Sequence, residues 1–203
     1  MSNPSRHPGY PRGESTRSDI LTAAMKIFAR KGYYFTSIND IISAVSITKG
    51  AFYHHWASKE ELAIDVLEFC TAESLRKLQE RMTGTTTAKQ RLDGYMQFIG
   101  DIHENPDLSH CTLFMEFACG VTAQDKRLTQ AIHEGWARMR GRITEMLRAA
   151  QEEGSVRDDI PADKFGDMLV SAIVGFHVTT TRTIHDTSFR ELVELLRRTW
   201  QPQ

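Results

Sequence analysis

Apolar residues near the start of the chain recur at the spacing of one helix face. They fall at positions i, i+1, i+4, i+7 and i+8, which is the stripe of an amphipathic helix. They are Ile20, Leu21, Ala24, Ile27 and Phe28. The stripe predicts a helix that begins near residue 15 or 16 and ends at Gly32, because glycine accepts the left-handed backbone of a helix end.

Helix-capping residues divide the next stretch into short segments. Ser37 precedes Asp40 by three positions, which predicts a helix over about 38–45, and Thr48 can cap a second helix. Ser58 and Glu61 form a capping-box pattern that opens a long third helix. The apolar residues between these caps predict a small core for three helices: Ile38, Ile41, Ile42, Ile47 and Phe52. Two short helices joined by a tight turn are typical of a helix-turn-helix.

The second short helix carries polar groups that need water or a partner. Lys49, Tyr53, His54 and His55 lie within seven residues, and Lys59 follows. Such groups reach phosphate oxygens and base edges when this helix enters the major groove. The pattern therefore indicates double-stranded DNA as a partner.

Residues 17–66 resemble the DNA-binding domain of the TetR family of bacterial transcriptional regulators. The resemblance runs in order through residues 17–24, 28–32, 36–41, 48–56 and 58–62. It implies an all-α homodimer with a variable C-terminal effector domain, and repression that a small ligand relieves. It also implies DNA contacts by Thr36, Ser37, Thr48, Lys49, Tyr53, His54, His55 and Lys59.

Two roles are expected among these residues. Tyr53 and Lys59 would position the protein on phosphates. Lys49 can donate to guanine O6 and N7, so Lys49 with its neighbours Thr48 and His54 would read bases. Two departures from the family pattern affect this geometry: Ile42 replaces a small residue, and Ser46 replaces the turn glycine.

Charge is divided unevenly along the chain of 203 residues. Residues 1–60 hold eight Lys or Arg and four acidic residues, a charge of +4, whereas the remainder carries −5. A basic end on an acidic body orients the molecule toward phosphate. Residues 1–14 are rich in Pro and Gly without periodicity, so we expect a disordered tail. The chain shows no signal peptide and no apolar run long enough for a membrane span, which favours a bacterial cytoplasm.

The rest of the chain predicts helices throughout, which makes about nine in all. They are expected over about 59–82, 88–104, a segment after Asn105–Pro106 with Phe114, 122–153, 162–185 and 188–200. The expected domains are a helix-turn-helix domain over 15–62 and a ligand-binding and dimerisation domain over 63–203.

The last two helices are the candidate dimer interface. Small residues at intervals of four form one ridge, and an apolar stripe follows on the closing helix. The candidates are Ser171, Gly175, Thr179, Phe189, Val193 and Leu196. Such helices, packed against their symmetry mates, would form an isologous four-helix interface.

Aromatic and methionine residues of the C-terminal domain are candidates for a ligand cavity between helices, where bundles place such sites. Glu116 and His177 are the polar groups best placed to orient a ligand. The candidate set is Met96, Phe114, Glu116, Phe117, Trp136, Phe176 and His177. The expected ligand is small and largely apolar, and no cofactor is expected.

The other candidate classes of function are an enzyme, a metal-responsive regulator and a redox-responsive regulator. A nucleophile elbow and a phosphate-binding glycine loop are both missing from the sequence, so an enzyme is not expected. A metal-responsive regulator is a second possibility, because five potential metal ligands lie close in sequence: His103, Glu104, Asp107, His110 and Cys111. Their spacing matches no tight ligand pattern. A redox-responsive regulator would use Cys70, Cys111 and Cys119. The sequence also leaves repressor and activator unresolved.

Overall fold

A computed structural model describes residues 12–105, 112–122, 124–180 and 188–201 of the chain. Within these ranges the structure consists of nine helices and contains no strand. They are α1 (Arg12–Lys31), α2 (Ile38–Val45), α3 (Lys49–His55), α4 (Lys59–Met82), α5 (Ala88–Glu104), α6 (Leu113–Gly120), α7 (Lys126–Glu152), α8 (Ala162–Thr180) and α9 (Phe189–Thr199). The all-α prediction is therefore confirmed.

Several helix ends differ from the prediction. Helix α1 begins at Arg12, so the expected disordered tail of residues 1–14 is wrong for its last three positions, while residues 1–11 lie outside the described ranges. Helix α7 begins at Lys126 and not near residue 122, and the N–H of Asp125, directly before the helix, donates to the Thr122 carbonyl. The expected helix start at Pro106 also lies outside the described ranges.

Of the two predicted capping boxes, the one at α9 is complete and the one at α4 is only half formed. At α9, Ser188 Oγ accepts from the Glu191 N–H, and Glu191 accepts from the Ser188 N–H at 2.7 Å. At α4, Ser58 Oγ accepts from the Glu61 N–H, but Glu61 instead accepts from the N–H of Ala57, one residue earlier. Both arrangements satisfy amides at a helix start that would otherwise lack partners.

Two hydrophobic cores are joined by the long helix α4. The C-terminal core packs α5, α7, α8 and α9 around Leu92, Leu147 and Trp200. The N-terminal core of α1–α3 and the start of α4 is completed by residues from α6 and α7: Leu113, Phe117, Leu128 and Ile132. The expected boundary at residue 62 thus falls inside a continuous helix.

Candidate nucleic-acid interface and internal cavity

Ser46 forms the turn between α2 and α3. It lies in the left-handed region at φ 54° and ψ 44°, and it is the only non-glycine residue with positive φ in the described part of the chain. The N–H groups of Ser46 and Ile47 both donate to the Ile42 carbonyl, which ends α2. Ile42 is half-buried against the N-terminal core. The motif thus closes without the glycine, at a cost of about 1 kcal/mol for the strained serine.

Side-chain caps fix the starts of both short helices. Ser37 Oγ accepts from the Asp40 N–H at 3.1 Å, and Asp40 accepts from the Ser37 N–H at 2.8 Å. That backbone donor and the ammonium of Lys31, 2.9 Å from Asp40 Oδ1, hold the pKa of Asp40 well below its usual range. Thr48 Oγ1 accepts from the Ala51 N–H at 3.1 Å and caps α3. The caps set the direction in which α3 leaves the turn.

Helix α3 presents one buried and one exposed face. Phe52 lies in the N-terminal core, whereas Lys49 and His54 are exposed and Tyr53 is 52% exposed. Burial, followed by the charge of His54, lowers the pKa of half-buried His55, so this imidazole is a neutral hydrogen-bonding group near pH 7. The predicted base-reading residues therefore lie together on the outer side of the motif.

Lys59 was expected to contact phosphate, but its ammonium group is bonded within the chain. Its ammonium donates to the carbonyls of Tyr33 and Thr36, at 2.9 Å each, and lies 4.3 Å from the centroid of the Tyr33 ring. Burial lowers the pKa of Lys59. Thr36 is buried and donates its hydroxyl to the Gly32 carbonyl at 2.8 Å. Thr36 was predicted to contact DNA directly. Because its side chain is buried, it instead shapes the loop before α2.

The aromatic loop before α2, which consists of Tyr33, Tyr34 and Phe35, was not among the predicted DNA contacts. Phe35 is 85% exposed and lines an open groove of about 490 Å³ with Ser37, Asn39, Lys49 and Tyr53. The sequence does contain a signal for this loop, because it places three consecutive aromatic residues in a short connection, which is more than a solvated loop requires.

The same loop is bonded to the connection between α6 and α7. Tyr34 Oη donates to Asp125 Oδ2 at 2.6 Å and accepts from the Thr122 N–H at 2.8 Å. Tyr33 Oη donates to Asp125 Oδ1 at 3.3 Å, and burial raises the pKa of Tyr33. We call this set of contacts the Tyr34–Asp125 latch. It joins the segment that leads into α2 directly to the C-terminal region.

A cavity of about 140 Å³ lies between α4, α5, α6, α7 and α8. Its wall is mainly apolar and includes Leu78, Phe98, Met115 and Ile173. Gly135 allows the Phe114 ring to approach α7, since a Cβ at this position would lie 2.3 Å from Phe114 Cε2. The geometry suits a small apolar body enclosed by helices.

Of the predicted ligand residues, Phe114 alone lines this cavity. Met96 is buried in the C-terminal core, Phe117 lies in the N-terminal core, Trp136 packs against both cores, and Phe176 packs edge-on against Phe189. Glu116 and His177 line a separate pocket beside the aromatic loop. Apolar spacing identified buried residues correctly but not the empty space they enclose.

A histidine pair lies beside that pocket, with His177 buried and His103 half-buried. His103 Nδ1 donates to the Ile99 carbonyl at 2.8 Å, so the neutral ring uses Nε2 to accept from His177 Nδ1 at 3.0 Å. Burial lowers the pKa of His103 to about 4 and also lowers that of His177. His177 Nε2 lies 3.8 Å from Glu116 Oε1. The pair is a neutral hydrogen-bonded unit at physiological pH.

The sensor alternatives gain no support from the described ranges. No group of three His, Cys, Asp or Glu residues there could hold a metal ion, and the predicted cluster members Asp107, His110 and Cys111 lie outside those ranges. Cys70 is buried at the cavity wall, whereas Cys119 is exposed.

The candidate dimer residues separate into two groups. Phe189 and Val193 are buried in the C-terminal core, so their side chains are occupied within the chain. Ser171 and Gly175 are exposed on α8, Thr179 is half-buried there, and Leu196 is half-buried on α9. Exposed apolar side chains that the prediction missed accompany them: Met168 and Leu195, each 60% exposed.

The geometry defines a helix-turn-helix protein with a helical C-terminal region that encloses a cavity. The family description "Bacterial regulatory proteins, tetR family" matches residues 20–66, and "Tetracyclin repressor-like, C-terminal domain" matches residues 115–196. The chain belongs to the TetR family and is a DNA-binding transcriptional regulator, not an enzyme. No helix among the described residues is long and apolar enough to cross a membrane.

Three known proteins illustrate the similarity. The transcriptional repressor KstR2 of Mycobacterium tuberculosis is 25% identical over 149 residues, 73% of each chain. The transcriptional activator FasR of Mycolicibacterium smegmatis is 26% identical over 196 residues, covering 85% of this chain and 88% of FasR. A regulator from Saccharomonospora viridis, solved in complex with choline, shares the fold with a TM-score of 0.78 and 19% identity, over 91% of this chain and 95% of that one.

Proposed function

We propose that the protein is a dimeric repressor that leaves a pseudo-palindromic operator when a small, largely apolar ligand enters the cavity. The main support for this proposal is that helix α4 contacts both the cavity and the loop before α2. Its later turns line the cavity through Cys70, Ser74 and Leu78, whereas Lys59 in its first turn holds the loop before α2. A displacement of α4 by a ligand would therefore move the DNA-reading motif.

The exposed face of α3 supports the DNA-binding part of the proposal. Lys49, Thr48 and His54 are exposed and would read bases. Tyr53 and Ser37 line the open groove and would bind phosphates. Lys59 has used two of its three N–H donors on backbone carbonyls, so its main role is to position the loop, with one donor left for phosphate.

The exposed face of α8 and α9 supports dimerisation. Met168, Gly175 and Leu195 offer an apolar surface, and two-fold pairing would double the contacts of a short recognition helix. The recognition helices of such a dimer would lie about 34–36 Å apart, or a multiple of that distance.

The latch supports coupling between ligand and DNA. It connects the aromatic loop to the α6–α7 connection, and α6 contributes Phe114 to the cavity wall. Because binding linkage is reciprocal, a ligand that weakens DNA binding must bind the DNA-bound dimer more weakly by the same factor, typically about 5- to 150-fold.

Selection of bound sites from random duplex DNA tests the DNA-reading assignment. We expect a two-fold symmetric consensus, and Lys49→Ala should relax it at one symmetric pair of positions. Lys164→Ala, on an exposed lysine of α8 in the C-terminal region, serves as the control and should leave the consensus unchanged. An asymmetric consensus that Lys49→Ala does not alter would contradict the assignment.

Gly175→Leu tests the interface. A Cβ at this position meets no atom of the described residues within 4 Å, so we expect the leucine to fit the monomer and to obstruct a partner helix. We expect monomers in sedimentation and weak operator binding; a variant that stays dimeric would move the interface elsewhere.

The alternative is that the protein is a transcriptional activator. The similarity to FasR, which is named as an activator, is the reason to test this. The position of the operator relative to the promoter decides between the two. Footprinting of the selected site should show overlap with the promoter if the protein represses, and an upstream site if it activates.

A further inference from the structure

The wall of the cavity contains charge of only one sign. Sixteen of its eighteen lining residues are uncharged side chains or glycine, and the two charged ones are Arg138 and Arg142. Three neutral hydroxyl residues, Thr71, Ser74 and Tyr95, also line the wall, and the hydroxyls of the first two already donate to carbonyls of their own helix. The two guanidinium groups are therefore the strongest hydrogen-bond donors available to a ligand.

The two arginines lie one turn apart on α7. Residues at i and i+4 share a helix face, so their like charges repel one another. Other arginines of this helix are neutralised: Arg127 pairs with Glu61 at 3.1 Å and Arg140 with Asp167 at 3.2 Å. Across the described ranges, neither Arg138 nor Arg142 pairs with a carboxylate. An anion at the cavity mouth would relieve this repulsion.

We propose that the effector is an amphipathic oxyanion. Its apolar body occupies the cavity, and its carboxylate or phosphate head binds Arg138 and Arg142, which are exposed at the edge of the wall. The planar guanidinium presents paired N–H donors that match either head group. This inference rests on the proposed function in one respect, that the cavity is the effector site.

The cavity volume sets the size of the body. At about 140 Å³ it is close to the roughly 150 Å³ apolar cavity that accepts benzene in a well-studied protein. A six-carbon body is therefore a suitable probe.

The test compares ligands that share this body and differ in the head group. Heptanoate, hexyl phosphate, heptanamide and hexylammonium, which all carry a hexyl chain, are titrated into the full-length protein by calorimetry, without DNA. We expect at least one of the two anions to bind about tenfold or more tightly than heptanamide, since charge-assisted hydrogen bonds are about twice as strong as neutral ones. The stronger of the two anions identifies the head group.

Variants locate the effect. Arg138→Ala combined with Arg142→Ala should bring the affinity ratio of anion to amide to about one. Arg148→Ala is the matched control, because Arg148 is exposed on the same helix, has no carboxylate partner within the described ranges and does not line the cavity. It should leave the ratio unchanged.

The outcomes separate this inference from the proposed function. An equal affinity for anion and amide, a preference for hexylammonium, no binding by any probe, or an equal effect of Arg148→Ala would overturn the oxyanion assignment. DNA release is measured separately, by fluorescence anisotropy of the selected duplex. An anion that binds through Arg138 and Arg142 but does not release DNA would leave the ligand chemistry in place and refute the repressor mechanism.

Discussion

Removing one oxygen atom from Tyr34 tests the latch. The Tyr34 hydroxyl donates to Asp125 Oδ2 at 2.6 Å and accepts from the Thr122 N–H at 2.8 Å. Tyr34→Phe removes these two bonds, together with the 2.9 Å contact between the Tyr34 and Thr122 hydroxyls, and keeps the ring. A hydrogen bond to a charged group contributes about 1.5–3 kcal/mol and a neutral one about 1 kcal/mol. Because Tyr34 is exposed enough for water to replace part of this, we expect a loss of about 1–2 kcal/mol in the free energy of unfolding.

The matched control is the same substitution on the recognition helix. Tyr53 is similarly exposed, and no hydrogen bond from its hydroxyl is observed in the described ranges. Tyr53→Phe should leave the free energy of unfolding within about 0.5 kcal/mol, as surface changes usually do. It should instead weaken binding to all DNA sequences alike, since a phosphate contact carries no sequence information.

Urea unfolding and operator titration measure the two effects side by side. A double-mutant cycle of Tyr34→Phe with Asp125→Ala isolates the latch, and we expect a coupling energy of about 1 kcal/mol. A coupling energy near zero would show that the contact contributes nothing to the fold. Equal unfolding effects of Tyr34→Phe and Tyr53→Phe would refute the reasoning from burial and partners.

Three further outcomes are expected. Ser46→Gly should stabilise the protein by about 0.5–1 kcal/mol in urea unfolding, because glycine accepts the left-handed region, whereas Ser46→Ala should not. The folded pKa of His103 is about 4, below its unfolded value, so stability should be full above about pH 6.5 and fall as the pH drops toward 4; an unchanged pH profile in His103→Gln would contradict this. Gly135→Ala should displace the Phe114 ring, lower the melting temperature and weaken binding to the cavity. Gly141→Ala, with open space at its Cβ on the same helix, should instead stabilise by up to about 1 kcal/mol; matching effects would exclude the steric explanation.

Local signals in the sequence predicted the DNA-binding motif well. The caps at Ser37, Thr48 and Ser58 involve residues three positions apart, so their partners are visible in the sequence itself. The same holds for the turn at Ser46, whose backbone bonds stay within five residues. Periodicity and capping are local properties, and the helices they predict are present.

The cavity between the helices could not be predicted in the same way. Apolar spacing shows that a side chain is buried but not which element covers it. Phe189 and Val193 fitted a dimer stripe equally well, yet they pack against the chain's own core. Lys59 illustrates the same limit for polar groups, because its two carbonyl partners lie 23 and 26 residues earlier in the chain.

The composition of the N-terminal core constrains how this regulator can be recombined with others. Leu113 and Phe117 of α6 and Leu128 and Ile132 of α7 fill that core as fully as the residues of α1–α3 do. A chimera that exchanged only the first sixty residues would graft a foreign surface onto these four side chains. New operator specificities are therefore easier to obtain by substitutions on the outer face of α3 than by exchange of the whole DNA-binding domain. A domain exchange would have to include α6 and the first turns of α7 together with α1–α3.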